Sequence, residues 1–408
     1  MRAEKIVLLA GLCALAAGCA ASGVVRMTAE RQRAARPPVA ALQAGEFEAA
    51  ARAARAVLIT DGHNPQAHLV AAVSGYQAIL HALYRDMTSV LGGIMMGRTI
   101  NHRLLADALR RAEAELAAVD VHLAAAARSP DIRLKLCLAC WERDWDHDGS
   151  IGAGDRLLLQ IERDAAGERI PEGDPRRKPT FQFDVGDVHW ARAMVAFQRA
   201  LFDLGLAYRL PEMAELRAAD RSGTISIRLV EPKRITAARQ RLFEGLEHAD
   251  RARLAYLAET DDAGEWVPNP TQRDHPLPLP VDGQLYATWQ GVLRDLGALL
   301  RSAEGIDVAE AAQLGDDQWD DPPQGAIDVG RLLARPGDIV IRLDHTSALD
   351  RDRTRQNAEA VLRDLFGDKY VARMKPSPLL QRLSRMKREL ERGEESLERK
   401  LRYLFWLN

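Results

Sequence analysis

Between residues 144 and 155 the chain reads Asp144-Trp145-Asp146-His147-Asp148-Gly149-Ser150-Ile151-Gly152-Ala153-Gly154-Asp155. Carboxylates stand at positions 1, 3, 5 and 12 of this stretch, with a glycine at 6 and an isoleucine at 8. Acidic side chains on alternate residues of a tight loop converge on one point, and the glycine allows the reversal that brings them there. The chemistry such a set serves is capture of a hard cation, since Ca²⁺ takes about six to eight oxygen ligands at roughly 2.3–2.6 Å. The same residues can also build an acidic Asx-rich turn that caps a helix and holds no ion. A second group, Asp184, Asp187 and His189, precedes a long apolar helix. Asp184 or Asp187 suits its N-cap, and the three could otherwise act as ligands or acid–base groups.

The loop resembles an EF-hand calcium site, closest to the dockerin-like and other bacterial variants that end in Asp. The resemblance implies that Asp144, Asp146 and Asp148 each supply a side-chain oxygen and Ser150 its backbone carbonyl. Gly152 would leave room for a bridging water, Asp155 would close the shell, and Ile151 would turn away and anchor the loop to the core. It implies Ca²⁺ as the ligand with Mg²⁺ tolerated, because Asp155 is one methylene shorter than the bidentate Glu of sensor loops. Helices over 131–143 and 155–164 are expected to flank the loop. The match departs from the pattern in three ways: the Asp at position 12, the exiting Leu157, Leu158 and Ile161 one residue out of phase, and no second loop of this pattern in the chain.

Residues 1–18 have the layout of a cleaved export signal. Arg2 and Lys5 form a basic start, Ile6 to Ala17 an apolar run, and Leu15-Ala16-Ala17-Gly18-Cys19 resembles a lipobox. The run is shorter than the ~20 residues a membrane span needs. Resemblance to bacterial lipoproteins implies diacylation of the Cys19 sulfur, an anchor of several acyl chains, and, with no Asp after Cys19, sorting to the outer membrane facing the periplasm. Cleavage near residues 20–22 without lipidation is the alternative. Of the 4 cysteines, Cys13 leaves with the signal and Cys19 is lipidated. Cys137 and Cys140 are too few for a disulfide scaffold and are expected as core thiols, free or oxidised, on the helix entering the loop.

Most of the 408 residues carry helical periodicity. The fold class expected is mainly α, a helical bundle or TPR-like array with the EF-hand-type loop and one minor short β-hairpin. Residues 19–41, with Pro37-Pro38, read as a tether. Gly45-Glu46-Phe47-Glu48-Ala49-Ala50, with Ala54, Asp61 and Pro65, resembles the second helix of a tetratricopeptide repeat and opens a TPR-like helical region over 42–130. Gly92-Gly93 and Gly97 interrupt its periodicity. The helix-loop-helix covers 131–164, and a helical region with minor β covers 181–408. Within the latter, Thr224–Val230 and Asp338–Asp344 read as short strands, and the leucine stripe from Pro378 either docks back onto the domain or forms a dimer seam.

A formal net charge of −2 removes nucleic acid as a partner class. No HExxH, phosphate-cradling glycine loop or nucleophile elbow occurs, and the 10 histidines lack metal-ligand spacing. Two functions fit. One is a calcium-stabilised, lipid-anchored helical scaffold that contacts another envelope protein. The other is an envelope hydrolase or ligand-binding protein with calcium as a structural ion, for which a concave pocket with perturbed acids near Asp184–His189 is expected.

Overall fold

Apolar residues recurring at three- and four-residue steps shape most of this chain, and the computed structural model is accordingly mainly α with short β pairs. It describes residues 23–95, 102–144, 148–152, 155, 160–164, 168–209, 211, 224–261, 264–272, 275, 282–307, 310, 326–342, 371–372 and 374–390. The signal segment, Cys19 and the chain from 391 onward lie outside the described residues. No helix among the described residues is long and apolar enough to cross a membrane.

The expected tether is corrected: its second half is helix α1 (Ala29–Gln43), capped by Thr28, whose Oγ1 accepts from the Arg31 N–H at 3.2 Å. Pro37 and Pro38 lie inside it, and the two missing N–H donors leave carbonyls at the exposed residues Arg33 and Ala34, where water can serve them. Ala35, Pro38 and Leu42 form the buried stripe that the prolines obscured, facing α2 (Phe47–Thr60) and α3 (Pro65–Met95). The Arg31 guanidinium clasps Asp61 at 2.8 Å, and residues ahead of α1 are stitched down by Val25 N–H to the Arg128 carbonyl at 3.0 Å. Helix α3 runs straight through Gly92-Gly93, so no break occurs there; Gly97 and Asn101 lie outside the described residues. Helix α4 (His102–Ala126) packs on α3.

The helix expected over 131–143 does not form. Ile132, Leu134, Leu136 and Leu138 are buried while Arg133 and Lys135 are exposed, a period of two that belongs to a strand. Strand β1 (Leu134–Leu136) pairs antiparallel with β2 (Phe181–Phe183), Leu134 opposite Phe183 and Leu136 opposite Phe181. All four of those side chains are buried, worth ~1.5–3 kcal/mol apiece.

Helices α5 (Val185–Ala207) and α6 (Pro232–Ala258) form the most extensive helix pair. Gly245 permits their approach, because a Cβ there would overlap the Phe197 ring. The pair is also clamped by charge. Asp203 is buried and takes Arg234 at 2.8 Å and Arg241, while Glu113 of α4 takes Arg199 at 2.9 Å and Arg241 at 2.8 Å.

Two small sheets complete the described fold. In one, β3 (Tyr208–Arg209), β4 (Thr224–Leu229) and β7 (Ile339–Arg342) lie in that order; the two expected strands are both present and pair with each other, Ile225 opposite Ile341. In the other, β6 (Ala326–Ile327) lies between β5 (Ile306–Asp307) and β8 (Val371–Ala372). Helix α7 (Gly283–Leu300) packs on α6, on the short α8 (Val329–Ala334) and on α9 (Leu379–Leu390). The described part of the C-terminal leucine stripe therefore docks: Leu379 is buried, Met386 lies against the main core, and Arg382 donates to Asp295 of α7 at 2.9 Å.

Candidate functional site

The acidic loop springs from an anchored stem. Trp141 is buried, donates its indole N–H to the Leu42 carbonyl at 2.8 Å and meets Phe47 edge-on at 5.0 Å. Gly45, at φ 76°, lies under it, with the Trp141 Cδ1 only 3.4 Å from where a Cβ would stand. The Arg143 guanidinium lies 5.3 Å from the Phe47 ring centroid, and a His81 ring nitrogen sits 3.2 Å from the Asp144 carbonyl.

Within the loop, the Asp144 carboxylate accepts from the backbone N–H of Asp148 at 3.2 Å and of Gly149 at 2.9 Å. Gly149 adopts φ 89°, the left-handed backbone that position 6 demands. Asp148 Oδ1 accepts from both the N–H and the hydroxyl of Ser150, each at 2.8 Å. Asp155 is buried and its Oδ2 accepts from the Gly152 N–H at 2.8 Å. Asp146, with Trp145 and His147, lies outside the described residues.

Three expectations about the surroundings are corrected. The stem ahead of the loop is a strand and a single 3₁₀ turn at Leu138–Cys140 in place of a helix. Ile151 is 38% exposed and belongs to neither described core cluster. After the loop, Ile161 is buried, but residues 160–164 are not helical: Ile161 donates to the Arg177 carbonyl and Ile170 to that of Glu162, while Arg163 bridges Arg169. The cysteines are corrected as well. Cys137 and Cys140 sit on a partly exposed turn and not on a helix in the core, because the alternation that buries Leu136 and Leu138 turns Cys137 outward; of the two expected states they take the oxidised one, a disulfide.

The second sequence candidate resolves into a cap. Asp184 accepts from the N–H of Gly186 at 2.6 Å, while Asp187 accepts from the Asp184 N–H at 2.8 Å, a reciprocal capping box that starts α5. Tyr256 donates its hydroxyl to Asp187 at 2.8 Å. Burial, with the neighbouring Asp184 charge, pushes the Asp187 carboxyl well above the usual range. His189 is not drawn into this group; its ring stacks on His248.

Sequence reasoning missed the acids that do gather there. Glu259, Asp261 and Glu265 follow α6, and each brings a carboxylate oxygen within 4.8 Å of the others. Burial first, then the hydrogen bond that its protonated carboxyl donates to Asp184 and the Asp184 charge, raises Glu259 to about 9. Burial, Asp184 and Asp261 raise Glu265 to about 7. The only signal in the sequence is local, the run Glu259-Thr260-Asp261-Asp262-Ala263-Gly264-Glu265 directly after an amphipathic helix. Close by, a narrow apolar cavity of about 60 Å³ is lined by Val73, Tyr76, Phe183, Trp190 and Met194 together with Asp187.

No protein-family model, no curated protein and no solved structure matches this chain.

Proposed function

We propose that this chain is a calcium-binding, lipid-anchored helical protein of the bacterial cell envelope, facing the periplasm from the outer membrane and serving as a scaffold or interaction module for another envelope protein. The observation that carries the calcium reading is the Asp144 carboxylate drawn under the loop by the N–H groups of Asp148 and Gly149, with Gly149 in left-handed backbone. Asp148 and Asp155 likewise hold a carboxylate oxygen on a backbone N–H of the loop, and a hard ion would take up the remaining oxygens of these acids and neutralise them. Because no helix enters the loop, the ion would not set an interhelical angle. It would tie the Trp141 stem to the buried Ile161 on the far side of the loop. Membrane attachment rests on the lipobox resemblance at Cys19.

Calorimetric titration of Ca²⁺ and Mg²⁺ into the purified mature chain, with melting curves in EDTA alongside, tests this. The expected result is Ca²⁺ uptake and a raised melting temperature, both weakened in Asp144→Asn and Asp148→Asn. Wild-type Ca²⁺ stoichiometry and affinity in both variants would overturn the loop assignment.

The cavity beside Asp187 favours a second reading, a binding protein or hydrolase whose ligand has an apolar body. Retention of a small apolar ligand by the wild-type chain and its loss on Val73→Trp would support that reading; no retention from a fragment library would remove it.

A further inference from the structure

Carboxylates clustered on a surface are ordinary, since water screens them; those after α6 are placed differently. Glu265 is 3% exposed, and its Oε1 is buried with no hydrogen-bond donor. The Oε2 of Glu259 is buried without a donor too. Polar groups around them are committed elsewhere. Tyr256 donates to Asp187, Tyr286 to the Pro268 carbonyl at 3.1 Å, and Arg253 to Asp250 at 2.6 Å. Arg133 approaches Asp184 at 3.8 Å.

The backbone that carries the three acids is pinned. Asn269 Nδ2 donates to the Glu259 carbonyl at 2.8 Å, and Gln272 Nε2 donates to that of Asp261. Gln182 of β2 donates its N–H to the Gly264 carbonyl at 2.9 Å, which seats Glu265 against the sheet. Asn269 and Gln272 are themselves buried. Two amides and a strand thus hold three carboxyl groups together, two of whose buried oxygens lack a hydrogen-bond partner.

We propose that Glu259, Asp261 and Glu265 form a site for a hard divalent cation, separate from the 144–155 loop and independent of its assignment. All three donors are oxygens and among the described residues no His or Cys joins them, which selects the Ca²⁺, Mg²⁺ and Mn²⁺ class over softer ions. Asp261 is exposed and gives the ion its entry from solvent, while Glu265 is the inner ligand. A bound ion would link the end of α6 to the segment that crosses β2.

Mn²⁺ titrated into the EDTA-stripped full-length mature chain, with free Mn²⁺ read by electron paramagnetic resonance, tests the site. Glu265→Gln is expected to lose one bound equivalent, and Asp261→Asn to bind that equivalent at least tenfold more weakly. Asp148→Asn should leave it untouched, so failure of the loop reading and failure of this one give different patterns. If Glu265→Gln does not fold, the exposed Asp261→Asn decides. Wild-type stoichiometry and affinity in both cluster variants, or loss of ion in Asp148→Asn alone, would overturn the proposal.

Discussion

Two imidazoles make the clearest case of a residue environment that can be read as a solution property. His189 and His248 stack with their Nδ1 atoms 3.3 Å apart and face Arg192, Arg251 and Asp120. Burial, then the nearby guanidiniums, holds His189 down to about 4 from 6.5; burial, Arg192 and His189 itself do the same for His248. Between pH 6.5 and about 4 the unfolded chain takes up protons that the folded pair refuses. The stability tied to this pair is therefore complete above 6.5 and is lost as pH falls through 4. His248→Phe keeps a ring in the stack, and the expected outcome is a shallower acid-side fall in melting temperature across that window. An unchanged slope would mean that other groups set it. At this scale the sequence was partly legible. The Asp184 and Asp187 cap could be seen because capping depends on residues three apart. The position of Asp184 beside Glu259 could not, since it joins residues 75 apart through tertiary contact, 184 to 259.

Among elements, the α5–α6 pair depends on the absence of a side chain. Gly245 lies under the Phe197 ring with no room for a methyl group. Gly245→Ala is expected to destabilise the fold by about 1–3 kcal/mol, the usual cost of overpacking, even though alanine is the better helix former. Urea unfolding followed at 222 nm measures it, and a gain in stability would show that the ring can swing aside. The same scale shows why one element was misread. Ile132-Arg133-Leu134-Lys135-Leu136-Cys137-Leu138 alternates strictly, a strand signal visible in the sequence. Expecting a helix before an EF-hand-like loop overrode it. The reverse occurred at α1, where Pro37-Pro38 argued for an extended tether and the spacing of Ala35, Pro38 and Leu42 argued for a helix. Burial prevailed.

For the molecule as a whole, the described C-terminal helix is a fastener. Asp295 is 1% exposed and shared by Arg294 of its own helix and Arg382 of α9, each at 2.9 Å. Gly291 lets the Arg382 side chain lie flat across α7. Arg382→Ala would leave the buried carboxylate to Arg294 alone, with an expected loss of about 1–3 kcal/mol. Thermal melts of the variant check this, and an unaltered midpoint would indicate that apolar contacts at Leu379 and Met386 suffice. The mainly α class and the strand character of β4 and β7 were legible because both follow from local periodicity, whereas their pairing across more than 100 residues is a tertiary contact. The order of strands in the β5–β6–β8 sheet was not, since two-residue strands carry too little pattern to be told from turns.

The bridge between Cys137 and Cys140 spans a separation of only 3 residues. Thiols so close in the chain meet by local motion alone, so oxidation need not wait for the tertiary structure. If export follows the Cys19 route, precursor retained inside the cell should accept two equivalents of iodoacetamide on these sulfurs, and processed protein none. Mass spectrometry of the peptide containing them would then act as a clock for translocation, read from material taken directly from growing cells.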